Sequence, residues 1–216
     1  MQFDFESIDE MTRYRLLLAT VLPRPIAWVT SLDKNGLVNA APFSFFNVFG
    51  ADPATVALGI GRHPSADPGE VRVKDTRLNI RSSEEFVVNL VPFSAAEKMH
   101  ASSMPFPADV SETEAVGLPT LPSLRVRAPR IAESPVSFEC RFVQEIRLGG
   151  FSLVLGRIVM MHIRDAAVTN VERLHIDTAE LDLIGRMEGT RYTRTRDKFE
   201  PANLDQARAL LGLHKG

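Results

Sequence analysis

Apolar residues recur in this chain at two different periods, and each change of period marks a new element. Tyr14, Leu17, Leu18 and Val21 are three or four apart, the pattern of one helix face. Ser7-Ile8-Asp9-Glu10 ahead of them fits a capping box. Pro23-Arg24-Pro25 predicts the end of that helix, because a residue before proline is pushed out of the helical region. The run 26–31 then reads as a buried strand, Asp33-Lys34-Asn35-Gly36 as a tight turn, and 37–41 as the returning strand. Further strands are predicted over 55–60 and over the β-rich run 85–91, with a short helix over 76–82 between them. Ser94-Ala95-Ala96-Glu97 repeats the capping-box pattern and predicts a helix to about Ser102. Two long strands, 136–147 and 151–164, meet at Leu148-Gly149-Gly150. A last helix is predicted over 204–211, starting near Asn203 and stopped by Gly212. Residues 61–73 read as a loop, and the proline-rich stretch 104–129 as an excursion outside the main sheet. Short strands joined by hairpins, with helices inserted between them, favour a mainly β barrel over a doubly wound sheet, in a single domain spanning 1–216.

Composition narrows the function classes. The chain has 216 residues, with 44% hydrophobic and 24% charged, as in ordinary globular domains. Its net charge of -2 gives no reason to expect nucleic-acid or membrane partners, so any anionic ligand must be held by local charge. No apolar run is long enough to span a bilayer. The acidic N-terminus does not read as a signal peptide, and the single cysteine, Cys140, excludes an intrachain disulfide. A cytoplasmic setting is expected.

The candidate chemistry lies in two segments. Ala41-Pro42-Phe43-Ser44-Phe45-Phe46-Asn47 combines a hydroxyl, an amide and three aromatic rings at a strand end, and fits no clean helix or strand period. Ser44 and Asn47 can bond a phosphate, a ribityl chain or a ring edge, and the phenylalanines can wall off a flat ring. Downstream, Lys74-Asp75-Thr76-Arg77-Leu78-Asn79 opens a short helix, where outward N–H groups and a lysine suit an anion. Lys74, Thr76 and Asn79 can converge on one phosphate. Thr30 and Ser31 are expected to face the same gap as Ser44, with Arg24 in reach of a phosphate or ring edge. Trp28, among apolar neighbours, reads as core. Together these groups suggest a flavin mononucleotide (FMN) site.

Other chemistries lack their signatures. No Gly-x-Gly-x-x-Gly opens a helix, so neither a Rossmann nicotinamide site nor a P-loop is indicated. The five histidines, His63, His100, His162, His175 and His214, show no metal-ligand spacing. No serine sits in a nucleophile elbow. Cys140 reads as a small core residue. The stretch 185–196 is basic, and could fold over a site to present Tyr192 or Arg194.

Residues 23–31, 39–47 and 74–80, with 86–90 and 186–199, resemble the flavin reductase-like, flavoredoxin-type proteins, over about residues 14–200. The resemblance implies an FMN-binding split β-barrel, usually a homodimer with the flavin near the subunit interface. It implies that Thr30, Ser31, Ser44, Phe45, Phe46, Asn47, Lys74, Thr76 and Asn79 line the FMN site, with the Tyr192 segment near the ring, contributed by the same chain or by the partner subunit. It also implies hydride transfer from NADH or NADPH to the flavin, and onward transfer to a redox partner such as a monooxygenase. Without a Rossmann unit, the nicotinamide would stack on the flavin while the 61–73 loop, with Arg62, His63 and Arg72, closes over it. The rival expectation is an FMN-holding electron carrier or flavin store with no nicotinamide activity. A weaker one is a split-barrel oxidase or haem-handling relative, which would need an axial ligand.

Overall fold

A computed structural model describes residues 1–62, 73–107, 109–201, 203, 208 and 211. Most of the loop expected over 61–73, including His63 and Arg72, lies outside these residues, as do most of the helix expected over 204–211, its stop Gly212, and His214.

The chain opens with α1 (Glu10–Thr20), capped by Asp9, whose carboxylate accepts the Thr12 N–H at 3.0 Å. The cap is therefore Asp9 and not Ser7, whose hydroxyl turns back to the Asp4 carbonyl. A two-residue strand, β1 (Arg24–Pro25), leads into β2 (Ala27–Leu32) and β3 (Val38–Phe43). Asp33 ties the turn between them, its Oδ1 accepting the N–H groups of Asn35 and Leu37, while Gly36 takes the positive φ of 87°. The hairpin pairs Ser31 with Asn39. Then come β4 (Phe46–Ala51), β5 (Ala54–Ile60), α2 (Asp75–Ser83) and β6 (Glu85–Leu90).

The expected helix after Ser94 begins as a 3-10 turn (Phe93–Ala95) and continues as α3 (Ala96–Ala101), with no side-chain cap at its start. Pro92 holds the position before the turn, so the capping-box pattern there is not used as a cap. The excursion carries α4 (Glu112–Ala115) and β7 (Thr120–Leu121), and β8 (Arg130–Ile131) follows directly after it, with β7 and β8 forming a small sheet outside the main one. The long hairpin is β9 (Val136–Leu148) and β10 (Phe151–Ile163), turned at Gly149 with φ 57°. The chain continues through β11 (Val168–Asn170), β12 (His175–Ile176), α5 (Thr178–Leu181), β13 (Ile184–Arg186) and β14 (Tyr192–Arg194).

Seven strands form one antiparallel sheet in the order β3-β2-β6-β9-β10-β5-β4. Its two edge strands, β3 and β4, are consecutive in the chain and joined only by Ser44 and Phe45. Two residues can bridge the edges only if the sheet curls into a barrel. The inward side chains Val29, Phe43, Phe46, Leu58, Phe86, Val88, Phe138 and Val154 accordingly meet in one buried cluster. Gly156 makes room for Phe86: a Cβ there would lie 2.8 Å from Phe86 Cε1 and closer still to Cζ. This mainly β barrel with inserted helices is the expected fold class.

Strand β2 is buried on both faces. Its outward residue Trp28 packs with Ala40, Met99, Leu118 and Ile131, under α3 and the excursion. The excursion is anchored from below by Glu139, 0% exposed, whose carboxylate accepts the N–H groups of Leu124 (2.8 Å), Arg125 (2.5 Å) and Val126 (3.1 Å) and meets His162 Nε2 at 2.6 Å.

Candidate functional site

Helix α2 closes one end of the barrel. Its Ile80 enters the core cluster, and Thr76 and Asn79 are buried one turn apart on the same side. These two meet the inward-facing pair Ser31 and Asn39. Thr76 Oγ1 donates to Asn39 Oδ1 at 2.7 Å, Ser31 Oγ donates to the same oxygen at 3.4 Å, and Asn79 Nδ2 donates to Ser31 Oγ at 3.3 Å. Glu112, from the excursion, closes the set: Oε1 accepts Asn39 Nδ2 at 2.6 Å and Oε2 accepts the Ala40 N–H at 3.1 Å. Ser111 donates to the Val38 carbonyl at 2.8 Å. The excursion thus satisfies the free edge of β3.

Lys74 sits at the N-terminal end of α2, and its side chain makes no cap bond there. Its ammonium lies 5.2 Å from the centre of the Phe43 ring. Burial pushes its pKa below the ordinary lysine value, and no charged partner offsets that shift. Lys74, Thr76, Asn39, Pro42, Phe106 and Glu112 are among the residues lining a cavity of about 70 Å³. Burial likewise pushes the Glu112 carboxyl above its ordinary value; the Ala40 N–H and Asn39 amide pull the other way, and Asp75 adds to the rise.

The predicted residues divide into several groups. Ser31, Thr76 and Asn79 share one buried network, with Lys74 beside it. Thr30 is not part of it. Neighbours on a strand point to opposite faces, so the expectation that Thr30 and Ser31 share a gap does not hold. Thr30 Oγ1 donates to the Pro129 carbonyl at 2.5 Å on the outer face. Ser44, at the corner between β3 and β4, lies 3.4 Å from Arg24 Nε. Arg24 is not free to reach a ligand as expected. Its Nη1 donates to the Leu18 and Val21 carbonyls at 2.7 and 2.9 Å, and Nη2 to Met187 O at 3.0 Å.

The three phenylalanines do not form one wall. Phe43 and Phe46 are core residues, while Phe45 packs with Phe151 and Tyr14 at centroid distances of 5.5 and 6.1 Å. The irregular period of 43–47 reflects a corner: one strand ends at Phe43 and the next begins at Phe46. Asn47 is exposed on β4, and its Oδ1 accepts the Val48 N–H at 2.8 Å. Tyr192 lies elsewhere, on β14. Its hydroxyl is 3.2 Å from His100 Nδ1 and bonds Arg186, whose guanidinium carbon sits 4.6 Å from its ring centre. Cys140 is buried in the barrel wall, and burial raises its thiol pKa further, as a core role requires.

Asn39 and Glu112 complete the network and are absent from the predicted site. Asn39 was legible from register: the Asp33–Gly36 turn places it opposite Ser31. Glu112 had no local signal, since it lies 73 residues from its partner.

Residues 19–178 match the flavin reductase like domain, and the chain belongs to that family. It is 41% identical to an uncharacterized protein of Deinococcus radiodurans over 95% of this chain and 90% of that one. Among solved structures, 2-nitrobenzoate 2-nitroreductase of Pseudomonas fluorescens is 35% identical, with TM-score 0.83 over 94% of this chain and 95% of that one. Nitrilotriacetate monooxygenase component B of Bacillus cereus is 28% identical, with TM-score 0.85 over 93% and 98%. Fold and family together define a flavin-linked oxidoreductase of split-barrel type. Among the described residues, no helix is long and apolar enough to cross a membrane.

Proposed function

We propose that the protein binds FMN and acts as an NADH- or NADPH-dependent flavin reductase that passes electrons to an acceptor outside this chain. One observation carries the reading: a half-buried lysine at the N-terminal end of α2, with no carboxylate partner among the described residues, lines one cavity together with Thr76 and Asn39. A lysine so placed fits a phosphate close to a dianion. When bound, the flavin supplies the redox chemistry by accepting a hydride, and with it two electrons, from a dihydronicotinamide. The protein supplies position. Lys74 would hold the phosphate. Thr76 and Asn79, through Ser31 and Asn39, keep that helix end seated on the barrel. Ser44 offers a hydroxyl at the corner. Hydride transfer requires no general acid or base, in keeping with the lack of a catalytic dyad in the sequence.

The test is anaerobic bleaching of protein-bound flavin by each nucleotide. Rapid loss of the oxidised-flavin absorbance supports the reading. A protein that carries FMN and is reduced by neither nucleotide is instead an electron carrier. The similarity to a nitroreductase favours a second reading of the acceptor, a small nitroaromatic reduced directly, which 2-nitrobenzoate consumption after bleaching would reveal.

The assembly proposed is a homodimer. Strand β4 and the β9–β10 hairpin expose the apolar residues Val48 (54%), Phe49 (69%), Val143 (56%) and Leu148 (57%), which a second copy would cover. Light scattering on the purified protein distinguishes dimer from monomer.

A further inference from the structure

A second cavity, about 280 Å³, opens at the tip of the β9–β10 hairpin, on the other flank of α2. It is lined by Arg62, Val73, Arg77, Arg147, Gly150 and Phe151, among others. Val73 belongs to this cavity and Lys74 to the first, so the start of α2 separates the two. Among the described residues that line it, the charged ones are all arginines. Glu145 is taken by Arg77 at 2.5 Å and Arg81 at 3.0 Å, and its carboxyl lies below its ordinary value although burial acts against that, since Ser152 and the arginines outweigh it. Arg62 and Arg147 have no carboxylate partner among the described residues. Glu10 also reaches this flank: a Cβ on Gly150 would lie 3.3 Å from its Oε1.

The floor is shaped by absent side chains. A Cβ on Gly61 would lie 3.1 Å from the Phe151 ring, and one on Gly150 would lie 3.5 Å from Arg62 Nε. Phe151 in turn packs on Phe45 and Tyr14, giving an aromatic surface beside the guanidinium groups. Paired arginines next to an aromatic surface are suited to a diphosphate carrying a flat base.

We propose that this cavity is a second anion subsite, which takes the diphosphate of a nucleotide co-substrate through Arg62 and Arg147. That the nucleotide is the electron donor rests on the flavin reductase reading; the anion site itself does not. Both arginines are exposed and outside every network described above, so their loss leaves the fold and the Lys74 site intact.

The test uses flavin-loaded, full-length protein and ADP-ribose as probe, measured by calorimetry, with adenosine as the phosphate-free control. Expected is ADP-ribose binding that weakens with salt and falls at least about tenfold in the Arg62→Gln/Arg147→Gln double variant, with adenosine unaffected and Arg147→Lys partly restoring it. In turnover, the double variant should raise KM for the pyridine nucleotide by a similar factor at unchanged kcat. Bleaching by N-benzyl-dihydronicotinamide, which has no phosphates, should not change. The proposal is overturned if wild-type protein does not bind ADP-ribose, or if the double variant binds it equally well. If ADP-ribose binding is lost in the double variant but no dihydronicotinamide bleaches the wild type, the subsite stands and the reductase reading fails.

Discussion

Replacing Lys74 by methionine removes the only cation among the described residues that line the first cavity and keeps most of the packing on Phe43. A charge-assisted contact to a phosphate contributes about 1.5–3 kcal/mol, so FMN affinity should fall about 10- to 150-fold. Riboflavin has no phosphate, and its affinity should be unchanged. The pH dependence follows from the direction of the lysine shift. Burial lowers the Lys74 pKa in the empty site, and a bound phosphate favours the charged form and raises it again. FMN affinity should therefore fall as pH rises through the lowered pKa, and Lys74→Met should abolish that slope. The variant also removes a buried charge that is penalised in the empty protein, so its Tm without flavin should hold or rise. Lys74→Arg should recover part of the affinity. The assay is titration of flavin fluorescence at several pH and salt values. If FMN binds the methionine variant as tightly as wild type, or riboflavin is weakened equally, Lys74 does not hold the phosphate.

Three further outcomes test the supporting structure. Glu112→Gln replaces an acceptor of two N–H donors with a group that must turn its own N–H toward one of them. It should cost about 1–3 kcal/mol and several degrees of Tm; an unchanged melting curve would remove Glu112 from the network. Glu139 is pulled upward by burial, but the Leu124 N–H, His162 and the Arg125 N–H outweigh this and hold it below its ordinary value. Its contribution is therefore present above the unfolded-state carboxylate pKa and is lost as pH falls through the lower folded value. Acid unfolding of wild type should show this loss, and Glu139→Gln should flatten it. Gly156→Ala forces a methyl into Phe86 and should cost about 1–3 kcal/mol in chemical denaturation, with Phe86→Leu in the same chain recovering part of it.

Much of the barrel was legible because its signals are local. The Asp33–Gly36 turn, the Gly149–Gly150 tip and the proline ending α1 each rest on a few adjacent residues. The capping boxes misled because several polar residues compete near each helix start: Asp9 outbids Ser7 at α1, and Pro92 begins a 3-10 turn ahead of α3. Strand β4 was not legible, since after Phe46 it is exposed throughout and shows no alternation. The site was legible in part. Ser31, Thr76 and Asn79 do come together, whereas Thr30 is excluded by strand alternation. Tyr192 depends on how the small β1-β13-β14 sheet folds back, and Glu112 on where a proline-rich excursion lands.

The corner at Ser44 and Phe45 joins two barrel edges that no ladder joins among the described residues. A ring with one unladdered seam opens most readily there. The helix plug, the excursion and the first cavity all lie along the β3 side of that seam. A ligand seated across it would act as a clasp, and protease resistance and amide exchange in β3 and β4 would report its occupancy before any colour change was read.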